Sequence, residues 1–271
     1  MKALIPLLLL FVSMPTLAKR QFDIEVIIFK RAVTPSQVDE SWPNNLPPID
    51  LKKSASFANA NYLKKKGATL LPKSAYQLNA QAATLSQHAG YKVLLHTAWR
   101  QGDEGSNRSP IFHIQAGKDY SEKFRLDGHE RTNDQSSSPQ NRTSETSNAQ
   151  PQDGTTADVE ERNVPKPIPE LDGTLQVYVQ HYLYVKTDLD LKEPTTQEVV
   201  LKDRPLNLEM GPDDQDSDVQ LGHLESVSPT KTVETFLKPY RMEQKRRMRS
   251  GETHYLDHPL MGMIIQVRKV K

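Results

Sequence analysis

Between Tyr240 and Tyr255 the chain reads YRMEQKRRMRSGETHY, the densest group of chemistry-bearing side chains in the sequence. Arg241, Lys245, Arg246, Arg247 and Arg249 stand there against Glu243 and Glu252. In a strand, successive side chains point to opposite faces. Arg241, Glu243, Lys245, Arg247 and Arg249 then share one face, and Tyr240, Met242, Gln244, Arg246 and Met248 the other. Guanidinium forks suit carboxylates and phosphates, and tyrosine rings suit sugar faces. Tyr240, Arg241, Lys245, Arg246, Arg247, Arg249 and Tyr255 are therefore the candidate contacts to an acidic polymer or an acidic partner surface. A charged row also keeps an edge strand from pairing with other chains, and the residues alone leave both readings open.

Other chemistry has weaker support. The nucleophile elbow G-x-S-x-G, the zinc spacing H-E-x-x-H, a phosphate-binding G-x-x-x-x-G-K-[ST] loop and G-x-G-x-x-G do not occur. His254 and His258 have the i, i+4 spacing of a helical metal site, but Pro259 argues against a helix there. The carboxylates Asp213, Asp214, Asp216 and Asp218 read as solvated charges in a turn. No catalytic group, cofactor or metal is expected. The chain has no cysteine, which removes disulfides, thiolate metal sites and thiol nucleophiles.

The elements that must position the cationic row follow from periodicity. Gln21 to Lys30 (QFDIEVIIFK) alternates apolar and polar residues and then turns apolar on both faces, a strand more buried toward its end. Thr34 to Leu51 holds Pro35, Pro43, Pro47 and Pro48 and reads as an irregular loop, with Trp42 packing back on the core. Leu78, Ala82 and Leu85 recur at helical spacing between Ser74 and His88, with Ser74 as N-cap and Gly90 as stop. Tyr91 to Trp99 is a strand, completing a βαβ-like unit, and Ile111 to Ile114 is a short one.

Gly173 to Leu191 reads as one long strand, Glu198 to Met210 as another, Lys231 to Met248 as extended or mixed, and Met261 to Val270 as the last strand. From Asp127 to Asp172 large apolar residues nearly vanish and acids such as Glu160, Glu161, Glu170 and Asp172 outnumber bases. Such a stretch buries too little to offset its chain entropy and is expected to be a disordered acidic insert, able to cover the cationic row. The expected fold is α+β: a single domain, residues 19–271, with a mostly antiparallel sheet, one clear helix and the insert 127–172.

The first residues carry an address. Lys2, an apolar run from Ala3 to Val12, a break at Ser13-Met14-Pro15 and Thr16-Leu17-Ala18 form the layout of a signal peptide, with cleavage expected after Ala18. The apolar run is roughly half the ~20 residues of a membrane span. Lys and Arg number 35 against 34 Asp and Glu, and without Lys2 the balance is even. A basic nucleic-acid binder is thereby disfavoured, and no membrane span is expected after residue 18.

Four blocks then carry a likeness: FDIEVIIFKR after the leader, GYKVLLHTAWRQ, LDGTLQVYVQHYLYVKTDLDL and RMRSGETHYLDHPLMGMIIQVRKV. Together they resemble the CsiV family of periplasmic peptidoglycan-binding proteins, over Gln21 to Gln101 and Leu171 to Lys271. The resemblance implies a non-enzymatic periplasmic protein that binds peptidoglycan. It further implies support of a bifunctional penicillin-binding protein through that enzyme's outer-membrane lipoprotein activator. It transfers no binding residues, so the cationic row stands on physics alone. A wall-modifying hydrolase and a protein-only scaffold are the rival expectations.

Overall fold

The computed structural model describes residues 20–43, 46–131, 166–200 and 231–270. They fall into two units: Met1–Asp119, Pro169–Lys192 and Pro239–Lys271 in the first, Tyr120–Ile168 and Glu193–Lys238 in the second. In the second, Phe124, Ile168 and Leu237 pack with Tyr120, and the Leu237 N–H donates to the Gly128 carbonyl at 2.7 Å.

The first unit is built on β1 (Gln21–Arg31). It lies between β3 (Tyr91–Gly102) and β9 (Met261–Lys269), antiparallel to both. Two short strands, β2 (Thr69–Leu70) and β8 (Thr253–Asp257), close the edges, giving the order β2-β3-β1-β9-β8. A second sheet has the order β4 (Ile111–Asp119), β5 (Pro169–Gln180), β6 (Tyr182–Val200), β7 (Lys231–Met248).

Ile24, Val26 and Ile28 of β1 join Trp99, Phe112, Leu175, Val177, Val185, Met242 and Ile265 in one core drawn from both sheets. Ile27 and Phe29 point the other way and meet Leu78, which immediately precedes α2 (Asn79–Gln87), and Ala82 and Leu85 of that helix. β1 is thus buried on both faces, which accounts for its closing apolar run.

Among the described residues the mostly antiparallel α+β class holds, with two sheets in place of one and two α-helices in place of one. The missed helix, α1 (Ala60–Lys66), half-buries Tyr62 and Leu63 against the core, but its two turns are too short to show an apolar period. Its signals are local: the Asn59 side chain accepts from the Tyr62 N–H, and Gly67 ends it at φ 61°. α2 presents the expected Leu78, Ala82, Leu85 line but starts at Asn79, because Ser74 sits in a 3-10 turn (Lys73–Ala75) and does not cap. Trp42 packs on the core as expected, edge-on to Tyr240 at 5.0 Å.

The long strand expected from Gly173 to Leu191 is two strands folded on each other. His181, at φ 55°, makes the turn between Gln180 and Tyr182. Histidine tolerates that conformation better than β-branched residues do, and neither glycine nor proline flags it. β5 also begins at Pro169, so Glu170 and Asp172, counted with the acidic insert, belong to the sheet. Residues 132–165 of the insert, the leader, most of the strand expected over Glu198 to Met210, and the acids from Asp213 to Asp218 lie outside the described residues.

The β8–β9 turn carries a pH prediction. His258 exchanges backbone bonds with Met261, and its Nδ1 accepts from the Leu260 N–H at 3.2 Å. Burial pushes the imidazole below its ordinary value; Asp257 opposes that shift and Arg31 adds to it. The unfolded chain takes up this proton near pH 6.5 and the folded chain only at lower pH. Stability therefore falls as pH drops below about 6.5. Urea midpoints at pH 7.5 and 5.5 should differ less in His258→Gln than in the wild type; an equal difference would refute this assignment.

Candidate functional site

The alternation expected for the cationic segment is the one found in β7. Tyr240, Met242 and Met248 point into the core at 1%, 1% and 3% exposure, so Arg241, Glu243, Lys245 and Arg247 lie on the outer face of the second sheet. Tyr240, a candidate contact by sequence, is therefore a core residue under Trp42 and offers no surface. The expectation failed because it ranked Tyr240 by type, when its face parity with Met242 already placed it inside.

The other candidates separate by partner. Arg241 forks onto Asp190 with two bonds of 2.8 Å and lies 3.5 Å from Asp188. The Asp190 bond is the main cause that strengthens the hold of Arg241 on its proton, and the cation is occupied within the sheet. Burial pushes the Asp188 carboxyl upward, Arg241 draws it back, and Glu243 and Asp190 add to the rise.

Arg246 belongs to the inward-facing set but stands exposed at the rim. Its Nη1 donates to the Tyr255 carbonyl at 2.6 Å, and Gln244 donates to the Asp257 carbonyl at 2.6 Å. These two side chains fill carbonyl positions along β8, an edge strand, which is the edge-guarding use of charge. Arg249 is exposed at the following turn, 3.7 Å from Glu252. Tyr255 lies on the first sheet, stacked on Phe29 at 6.3 Å and bonded to Arg31.

Lys245 and Arg247 remain, and the structure gives them partners that the sequence reading missed. The Arg247 guanidinium carbon lies 3.8 Å from the centre of the Tyr182 ring, and the Lys245 Nζ lies 5.3 Å from that of Tyr184. Tyr184 in turn stacks on Tyr178 at 5.4 Å and 22°. The hairpin explains the grouping: pairing is symmetric about His181, so Tyr178 opposes Tyr184 and all even positions share one face. That signal is present in YVQHYLYV, but only to a reader who folds the run at His181.

On this face Tyr182 is 50% exposed and Lys245 and Arg247 are exposed, while Tyr178 is buried. The loop between β3 and β4 lies along β5: Gln176 donates to the Ser106 carbonyl and the Ser109 hydroxyl, and the Val179 N–H donates to the Glu104 carbonyl. Among the described residues, neither Lys245 nor Arg247 has a carboxylate partner. Each cation–ring contact is worth about 0.5–1 kcal/mol at an exposed site, enough to orient the cation but not to neutralise it. The patch can accept a carboxylate on the cations and a flat ring on Tyr182.

His254 and His258 do not converge. The His254 Nε2 accepts from the Arg249 N–H at 3.1 Å, while the His258 ring is buried 6.3 Å from Trp42. No helix among the described residues is long and apolar enough to cross a membrane.

Against known proteins, a family model described as "Peptidoglycan-binding protein, CsiV" matches residues 2–270. No curated protein and no solved structure matches the chain.

Proposed function

The chain belongs to the CsiV family of peptidoglycan-binding proteins, and we propose from that premise that it grips the wall through the outer face of β6 and β7. Peptidoglycan combines sugar rings with carboxylates on its peptide stems. The observation that carries the reading is the pairing of Arg247 with Tyr182 and Lys245 with Tyr184 on an exposed sheet face. The rings hold the cations in place without discharging them, so their remaining N–H donors face an incoming carboxylate. Of the residues chosen from sequence, Lys245 and Arg247 are the contacts we retain. Arg241 stands in the same outward row but is held by Asp190.

In this reading the leader ending at Ala18 delivers the protein to the periplasm, where the polymer lies. It works there as a non-enzymatic adaptor, promoting a bifunctional penicillin-binding protein through the lipoprotein activator of that enzyme. Crosslinking in the periplasm should capture the activator. A clearing zone on wall zymograms would instead favour the hydrolase, and crosslinks to protein without wall binding would favour the scaffold.

The wall contact has a direct test. Wild type should pellet with purified sacculi, less so as salt rises. Lys245→Glu with Arg247→Glu should weaken pelleting about tenfold or more, a loss of roughly 1.4 kcal/mol. Wild type that stays in the supernatant ends the wall-binding proposal. A double variant that pellets normally moves the contact off this face.

A further inference from the structure

We propose that the protein holds a second, separate wall contact on its first sheet, a platform for uncharged sugar rings built from Tyr91, Tyr255 and the Arg31–Asp257 pair. The proposal rests on the wall-binding reading and adds which part of the polymer each face takes.

Adjacent strands bring the residues together. Arg31 at the end of β1 is the register partner of Tyr91 at the start of β3. Phe29, two residues back, faces Gly262 on β9. Tyr255 on β8 pairs with Ile264, on the face that Ile264 shares with Phe29 and α2. Phe29 is buried at 3% exposure, with Tyr91 edge-on to it at 5.3 Å and 85° and Tyr255 stacked on it at 6.3 Å and 9°. Gly262 leaves the room: a Cβ there would come within 2.5 Å of the Phe29 ring and 2.9 Å of the Tyr255 hydroxyl oxygen. The two outer rings, at 37% and 40% exposure, are the open part of this aromatic group.

The polar rim beside the rings is tied internally. Arg31 Nη2 donates to the Tyr255 hydroxyl at 2.6 Å and to Asp257 Oδ1, and the Tyr255 hydroxyl donates to the same Oδ1 at 2.8 Å. Asp257 is 66% exposed, and Oδ1 takes both bonds, which leaves Oδ2 as an outward acceptor for hydroxyl groups. Rings beside a fixed carboxylate oxygen match the two faces of a sugar: its C–H face on the ring, its hydroxyls on the acceptor.

Charge assigns the ligands. On the second sheet Lys245 and Arg247 face rings and stay open to anions. On the first sheet Asp257 cancels Arg31, and its free oxygen would repel a stem carboxylate. The first face therefore suits the neutral amino-sugar rings of the glycan strand, and the second suits the peptide stems. Two faces of moderate affinity on one polymer give avidity that neither has alone.

The probe is an uncharged N-acetylglucosamine tetramer, titrated into the full chain. Wild type should bind it with an affinity that changes little between low and high salt. Tyr91→Ala and Asp257→Asn should each weaken it about tenfold while still unfolding in one cooperative thermal transition. Tyr255→Phe, which keeps the ring, should weaken it less than Tyr255→Ala. If wild type pellets with sacculi but ignores the tetramer, or if Tyr91→Ala and Asp257→Asn bind it normally, the platform does not exist. If wild type fails on sacculi as well, the wall-binding reading falls with it.

Discussion

Replacing Glu25 with glutamine is expected to destabilise the first unit by about 3–5 kcal/mol, the cost of breaking a buried, multiply bonded charge. Glu25 is 0% exposed, on the α2 side of β1. Its Oε2 accepts from the Gln77 N–H at 2.7 Å and from Arg268 at 3.0 Å. Its Oε1 accepts from the Leu78 N–H and meets His96 Nε2, both at 2.9 Å. One carboxylate therefore anchors the Gln77–Leu78 backbone that leads into α2 and neutralises a cation on β9. Glutamine keeps the size but turns one oxygen into a donor facing donors, and it leaves Arg268 without its anion.

The same group sets the acid limb of stability. Burial alone would raise the Glu25 carboxyl, but the bonds from Gln77, His96, Leu78 and Arg268 outweigh it and hold the pKa below the usual carboxylate value. Glu170 behaves likewise: burial raises it, while Lys92, the Lys118 N–H and Lys30 bring it down. A depressed carboxyl contributes stability above its unfolded pKa, near 4.5, and loses it as the pH falls through the folded value. Urea midpoints should therefore fall between pH 5 and pH 3 in the wild type, and less steeply in Glu25→Gln. An unfolding free energy at neutral pH within about 0.5 kcal/mol of wild type would contradict this account.

Gly173→Ala is expected to cost about 3 kcal/mol or more and to loosen the β5–β6 hairpin that sets the tyrosine ladder. Gly173 has φ 150°, a region L side chains rarely adopt. A Cβ there would stand 2.1 Å from the Asp188 carbonyl oxygen and 2.8 Å from the Leu189 Cα. Both are backbone atoms of the paired strand and cannot swing aside. The strands must part where Asp188 and Asp190 hold Arg241. The variant should thus lose sacculus binding together with a lower melting temperature, whereas Arg247→Glu should lose binding alone. An alanine variant that melts like wild type would show that the hairpin yields more easily than its geometry implies.

What the chain settled by itself is local or patterned. The αβ mixture, β1, the Leu78–Ala82–Leu85 line, the inward and outward sides of β7 and the family likeness all follow from period, composition and short blocks, which act within a few residues. The tertiary structure alone decided which outward groups are spent. Arg241 looked as free as Arg247, until Asp190 on the neighbouring strand claimed one and a tyrosine ring oriented the other. By period Glu25 is only the polar position of an alternating strand, and the tertiary structure buries it where its carboxylate accepts the Gln77 and Leu78 N–H groups just before α2. The turn at His181 likewise stood hidden, since its positive φ is imposed by the pairing of β5 with β6 and by no residue that demands it. A charge or a bend of this kind is set by what lies across the sheet, many positions away in sequence, and one strand read alone holds no record of its partner.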